Sequence, residues 1–280
     1  MDAINIRFPG GKGKALTLSY DDNKDQDIRL IEILRRHGLK ATFNLNSGLY
    51  APEGTVYPPG EIARVMTERQ VTETYTDSGM EVALHSLTHP HLEQLQPSLC
   101  TYEVVKDREN LERQFGRIVR GMAYPFGTYS DAVVEVVKNA GIVYARTTQT
   151  TGKFDLPSDW LQLSATCHHN DPRLMPLAQQ FVQEKPRDNR PPWLFYVWGH
   201  SYEFERNDNW HVIEDFAAYI GGKEDVWYAT NIEIFEYMEA WGRLVFSMDE
   251  SFVHNPTART LWLHRGGDAY VIAPGETVRL

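Results

Sequence analysis

The sequence predicts an α/β fold, a parallel barrel of six or seven βα units followed by a small β appendage. Three observations carry this prediction. Short apolar runs alternate with stretches of helical periodicity from residue 15 to residue 241. Gly38, Gly79, Gly116, Gly141 and Gly221 each follow a helical stretch, where a left-handed C′ residue is expected, and most are soon followed by an apolar run. Finally, six apolar runs end in polar or turn-forming residues. A barrel gathers its chemistry at such strand ends, whereas an open sheet draws on two or three of them at one switch point.

The elements follow in order. A first strand is expected over Ala15–Tyr20, ending in Asp21-Asp22, and then a helix whose stripe contains Ile28, Leu30, Ile31, Ile33 and Leu34. Strand Ala41–Leu45 ends at Asn46-Ser47 and precedes a helix over Glu61–Asp77. Strand Met80–Leu84 ends at His85, with a helix at Ser98–Phe115; strand Ile118–Ala123 leads to Pro125-Phe126-Gly127, with a helix at Asp131–Ala140. Strand Ile142–Ala145 ends at Arg146-Thr147, and Trp160–Ala165 offers a further run before the Leu174, Leu177, Ala178, Phe181 stripe. Strand Leu194–Trp198 leads to His200, and helices His211–Ile220 and Asn231–Trp241 complete residues 1–243. Beyond them, residues 244–280 hold short β-like runs (Leu244–Phe246, Thr260–Leu263, Ala269–Ile272, Thr277–Leu280) broken by Asn255-Pro256, Gly266-Gly267 and Pro274-Gly275. That segment is too short for a core of its own and is expected to pack on the barrel or on a neighbouring subunit.

Composition narrows the function. The 280 residues are 42% hydrophobic and 24% charged with a net charge of −10, which describes a folded chain and argues against nucleic acid or an anionic membrane as partner. Cys100 and Cys167 cannot form a disulfide scaffold. The N-terminus lacks the apolar run of a signal peptide and no 18 apolar residues occur together, so the cytoplasm is the expected location.

Chemistry concentrates at the strand ends. Adjacent carboxylates such as Asp21 and Asp22 point in different directions, so one can bind a metal while the other faces substrate; they can equally serve as helix caps. His85 and His89, four apart after a strand, are spaced to face one ion, and two imidazoles with one carboxylate form the ligand set of open catalytic Zn²⁺ sites. Co²⁺, Ni²⁺ or Mn²⁺ suits the same donors nearly as well. His91 breaks the spacing and reads as a bystander. Cys167-His168-His169-Asn170-Asp171 lies on the same rim, either as a region preceding the Leu174 helix or with His168 as a further active-site group.

Together these strings resemble the polysaccharide deacetylase family (carbohydrate esterase family 4, with the nodulation chitooligosaccharide deacetylase domain). Ser19-Tyr20-Asp21-Asp22-Asn23 matches its Thr-Phe-Asp-Asp-Gly motif, His85-Ser86-Leu87-Thr88-His89 its His-Ser/Thr-x-x-His motif, and Ala123-Tyr124-Pro125-Phe126-Gly127 its third motif. The resemblance spans roughly Lys14 to His200 and implies a distorted (β/α)7 barrel. It also implies Asp22, His85 and His89 as metal ligands, Asp21 as the base acting on metal-bound water, and Phe126 N–H, beside Pro125, as an oxyanion donor. His200 takes the place of the family's general acid, with Trp198 where Leu is usual; a structural histidine bonded to Glu203 is the competing reading. Trp198 and Tyr202 flank His200 and are expected at the substrate. The arginine of the third motif is absent: Ala123 stands there and Arg120 is displaced, so the surroundings of Asp21 must differ.

The expected activity is therefore a metal-dependent hydrolase removing N- or O-acetyl groups from a carbohydrate. Alternatives are a related amidohydrolase acting on a small amide or ureide, and a catalytically silent sugar-binding barrel. A homo-oligomer is compatible with the sequence.

Overall fold

The computed structural model describes residues 3–280. After a short strand β1 (Ile4–Arg7), the chain enters β2 (Lys14–Asp21), helix α1 (Gln26–Arg36) and β3 (Ala41–Leu45). Helix α2 (Glu68–Tyr75) leads to β4 (Glu81–Leu84), α3 (Pro97–Phe115) to β5 (Gly121–Ala123), and α4 (Asp131–Asn139) to β6 (Tyr144–Thr150). Two short strands, β7 (Leu163–Ala165) and β8 (Cys167–His168), precede α5 (Leu174–Gln183) and β9 (Trp193–Gly199). Helices α6 (Tyr202–Arg206) and α7 (His211–Ile220), strand β10 (Val226–Tyr228) and α8 (Asn231–Gly242) complete this part.

All pairings in the central sheet are parallel, in the order β7-β6-β5-β4-β3-β2-β9-β8. The two ends of this series meet. Only Thr166 separates β7 from β8; its N–H donates to Tyr196 O (2.8 Å) and its Oγ1 accepts from Tyr196 N (3.0 Å). Residues 163–168 thus hold β6 on one side and β9 on the other, closing a distorted ring of seven strands as expected. Near its start β2 also pairs with β10, at Lys14–Leu16, before β3 takes over at Leu18.

Strand alternation divides the residues between the two faces of this ring. Outward residues such as Leu16, Leu18, Phe43, Val82, Met122, Phe195 and Val197 form one buried cluster with helices α1 to α5 and α7. The interior is polar. Thr17 Oγ1 donates to Asn231 Oδ1 (2.8 Å), Asn231 Nδ2 to Tyr196 OH (2.7 Å), and Glu81 accepts from Thr42 (2.8 Å), Tyr144 (2.6 Å) and Ile232 N (2.9 Å). The N-terminus of α8 therefore plugs the end of the barrel remote from the C-terminal strand ends.

Three expectations need correction. The helix expected over Glu61–Asp77 begins only at Glu68, where Thr67 and Gln70 form a capping box; Met66 N is instead bonded to Asn23 O (3.1 Å). The strand expected from Ile118 begins at Gly121. Gly221 has φ −68°, and Gly222, at +69°, takes the left-handed turn after α7.

The C-terminal β-runs appear as β11 (Val245–Phe246), β12 (Phe252–His254), β13 (Leu261–Arg265), β14 (Asp268–Ile272) and β15 (Thr277–Arg279). They form two three-stranded sheets, β11-β12-β15 and β1-β13-β14, so the first strand of the chain belongs to the appendage sheet. Ile6, Phe8 and Leu261 pack there against Ala15, Leu194, Ile234 and Tyr237 of the barrel.

Candidate active site

Asp21 is the last residue of β2 and points into the barrel. Its Oδ1 accepts from Asn44 Nδ2 (2.8 Å) and its Oδ2 from the guanidinium of Arg146. Burial alone would raise this carboxyl, but Arg146, His85 and His200 hold it well below the usual carboxylate range. The arginine missing from the third motif is thus supplied by β6, one strand further on. Arg146 is fully buried and lies 4.4 Å from the ring of Trp198, while Arg120 is bound elsewhere, to Glu236 (2.6 Å).

Asp22 leaves the strand with φ 81° and turns toward His85 and His89. There its Oδ1 lies 3.6 Å from His85 Nε2 and 3.8 Å from His89 Nε2, the two nitrogens being 3.1 Å apart. His85 Nδ1 is 2.8 Å from Ala123 O, a pure acceptor, so that nitrogen carries the proton and Nε2 presents a lone pair. Burial and the neighbouring His85 push His89 down to about 4, which keeps its ring neutral. One carboxylate oxygen and two imidazole nitrogens thus converge, a donor set that fits a divalent cation. Five of the eight non-glycine residues with positive φ among those described are Asp22, Asn23, Ser86, His89 and Phe126, all at this site. Such backbone is costly and persists where the surroundings over-determine it.

His200 stands on the far side of Asp21, its Nε2 3.9 Å from Asp21 Oδ2 and its Nδ1 3.4 Å from Glu203 Oε1. Glu203 also meets His168 Nε2 (3.2 Å), His169 Nε2 (3.0 Å) and Asn170 Nδ2 (3.1 Å). Burial opposes its charge, yet these donors hold Glu203 well below the carboxylate range. Burial likewise opposes a proton on His200, but Glu203, Asp21 and Asp22 outweigh it and raise its pKa. The donor atoms of His168, His200 and Glu203 also fall within 4.8 Å of one another. The Glu203 oxygens, however, are already filled by His169, Asn170 and Arg206 (3.3 Å), so protein donors satisfy this carboxylate.

Pro125 opens a tight turn that sets Phe126 at φ 57°. The Phe126 ring stacks on His91 (3.9 Å, 12°) and meets His89 edge-on (4.5 Å), so the expected bystander His91 backs the aromatic wall.

Residues 9–145 match the family described as polysaccharide deacetylase, a span that includes all three motifs. Over that span, just under half of its length, the chain matches the polysaccharide deacetylase family. Among solved structures it is similar to a Mycobacterium smegmatis chain assigned to the polysaccharide deacetylases (14% identity over 86% of this chain and 96% of that one, TM-score 0.57). It is also similar to a family 4 carbohydrate esterase from Streptomyces lividans solved with acetate (18%, 78% and 93%, TM-score 0.51). These two likenesses bear on the fold. A Streptococcus pyogenes deacetylase, also with acetate, is 26% identical over 47% of this chain, which spans 55% of its length (TM-score 0.42).

Within this polysaccharide deacetylase fold, the expected residues are brought together with altered neighbours. Trp198 is only 8% exposed, with Arg146 against its ring and the His168 ring edge-on at 4.6 Å, so it supports the site more than it faces solvent. Tyr202 sits 5.4 Å from His200, with Arg206 over its ring. His168 has both nitrogens engaged, Nδ1 accepting from Asn170 N (3.1 Å) and Nε2 meeting Glu203. Sequence reasoning did not place Arg146, Asn44 or His169 in the site, and it named Glu203 only as the partner of a structural His200. Arg146 stood at a strand end and Glu203 three residues after His200, which are the signals available for them.

Proposed function

We propose that this protein is a metal-dependent hydrolase of the polysaccharide deacetylase family that removes N- or O-acetyl groups from a carbohydrate. The reading rests on one juxtaposition: the Asp22–His85–His89 acceptor set lies beside an ion-paired Asp21, with His200 3.9 Å beyond it. A divalent cation, Zn²⁺ by donor type with Co²⁺, Ni²⁺ or Mn²⁺ also suited, would supply Lewis acidity toward the acetyl carbonyl and acidify water.

The chain's own groups do the rest. Asp21, kept ionised by Arg146, accepts a proton from the attacking water at its carboxylate. His200 has Nδ1 turned to Glu203, which leaves Nε2 to carry a proton toward the leaving nitrogen or oxygen. Phe126 N–H donates to the oxygen on which charge develops, a contribution of about 10²–10³ in rate for such donors. Pro125 sets that turn, and Tyr202 lines the rim beside His200, with Trp198 beneath. His168 acts through Glu203.

The test is acetate release from acetylated chito- and xylo-oligosaccharides, with Zn²⁺ or Co²⁺ and with chelator. Cation-dependent acetate is the expected result. Asp22→Ala, His85→Ala and His89→Ala should lose the metal, whereas Asp21→Asn should retain it and lose about 10²–10⁴ in turnover. Full activity in Asp21→Asn overturns the base. No acetate from any sugar, with metal bound, moves the substrate to a small amide or ureide; no bound metal points to a sugar-binding barrel.

A further inference from the structure

The loop that carries two of the three ligands, His85 to His89, contains two left-handed residues, Ser86 (φ 62°) and His89 (φ 55°). A Ser86 Oγ bond from His89 N (3.2 Å) steadies it internally. The remainder of its support comes from one face of α3. Glu103 takes the Thr88 hydroxyl (2.7 Å) and Thr88 N–H (2.8 Å) on its two carboxylate oxygens, and its carbonyl accepts from Leu87 N (3.1 Å). One turn further on, Asp107 is fully buried. Its Oδ1 accepts from Ser47 N (2.9 Å) and Ser47 Oγ (2.6 Å), while its Oδ2 lies 3.2 Å from His85 N, an N–H shared with Leu45 O (2.9 Å).

The same network continues to the third ligand. Next to Ser47, Asn46 Nδ2 donates to His85 O (2.5 Å) and Ser86 O (2.8 Å), and Asn46 N donates to Asn23 Oδ1 (3.1 Å), beside Asp22. One buried carboxylate on a helix outside the barrel therefore ties the end of β3 to the end of β4, and through Asn46 to the end of β2.

We propose that Asp107 is a positioning residue for the metal centre, with Glu103 as its partner, holding the ligand-bearing strand ends in binding geometry before the cation arrives. The proposal rests on the metal reading above for the identity of the ligands. Its logic is that of outer-shell partners, whose loss typically costs about 10–100-fold in metal affinity. Asparagine is the informative replacement at 107. Its amide has one acceptor oxygen, so either Ser47 loses its partner or an NH₂ faces His85 N–H.

The experiment is a competition titration of purified protein with Zn²⁺ against a chromophoric chelator, alongside the melting temperature of the metal-free protein. Asp107→Asn is expected to weaken Zn²⁺ binding by about 10–100-fold. Glu103→Ala, at the helix surface and tolerant of change, should weaken it by at least about threefold and keeps the test decisive should Asp107→Asn fold poorly. Thr230→Ala, at the opposite end of the barrel, should lower the melting temperature and leave Zn²⁺ affinity unmoved, which separates positioning from general stability. Wild-type protein that binds no Zn²⁺ overturns the metal reading itself. Wild type that binds, with Asp107→Asn and Glu103→Ala both within twofold of it, overturns the positioning role alone.

Discussion

Asp21 and Asp22 are neighbours in sequence with different surroundings, and those surroundings underlie the separate roles proposed for them. Asp21 is buried against Arg146 and Asn44; Asp22, partly exposed, faces two imidazole nitrogens. The same logic applies to His200, whose proton is stabilised by Glu203 and Asp21 against the cost of burial. A group with a raised pKa in the folded state is protonated up to that higher value. An acid that must be protonated therefore loses activity as pH rises through it, and its contribution to stability is lost over the same window. Replacing Glu203 by Gln removes the anion facing His200 Nδ1, so the alkaline limb of kcat/KM should move to lower pH. A pH–rate profile of the variant checks this; an unmoved limb means that Glu203 does not set the acid. The Asp21-Asp22 and His85-x-x-x-His89 pairs were each legible because their own spacing is short, and the family resemblance joined the two. Arg146 was not, because it lies 125 residues from the carboxylate it serves.

Helices and strands were legible wherever periodicity and caps agreed. Helix α8 is an example: Thr230 and Glu233 form a capping box, and Asn231 at its first turn bonds Thr17 and Tyr196 inside the barrel. Thr230→Ala should cost about 1 kcal/mol through the lost cap, a fall of about 2–4 °C in melting temperature for a chain of this size. Thermal denaturation checks it, and an unchanged transition means that tertiary contacts alone hold this end of α8. Helix α2 shows where local pattern fails. Residues 61–66 carry apolar spacing compatible with a helix, but Asp25 N donates to Arg64 O (2.9 Å), and the Arg64 side chain is gripped by Asp25 (2.5 Å) and Glu205 (2.8 Å). Those contacts are long-range, and they outweigh a weak helical preference.

At the scale of the whole molecule, the two ends of the chain are joined. Strand β1 pairs with β13 from Ile4–Arg265 to Arg7–Trp262, and Tyr237 of α8 donates to Arg7 O (2.6 Å) while accepting from Trp262 N (3.1 Å). Removal of residues 244–280 would strip β1 of its partner and uncover Ile6, Phe8 and Tyr237. Each such side chain is worth about 1.5–3 kcal/mol when fully buried. The truncated chain should melt at least about 10 °C lower or fail to remain soluble. A truncated protein melting within two or three degrees of the full chain would show that residues 244–280 are dispensable to the fold. No helix among the described residues is long and apolar enough to cross a membrane.

The sequence by itself determined the order of βα units, the strand ends that hold the polar residues, and the Asp21-Asp22 and His85-x-x-x-His89 pairs, because period, caps and short spacings are properties of neighbouring residues. Only the tertiary structure decided the closure of the ring through Thr166, the delivery of Arg146 to Asp21, the approach of His168 and His169 to Glu203 and the grip of Asp107 on two strand ends. Each of these joins residues distant along the chain. Buried charges and hydrogen-bond donors must find partners wherever the fold places them, and sequence distance has no part in that requirement.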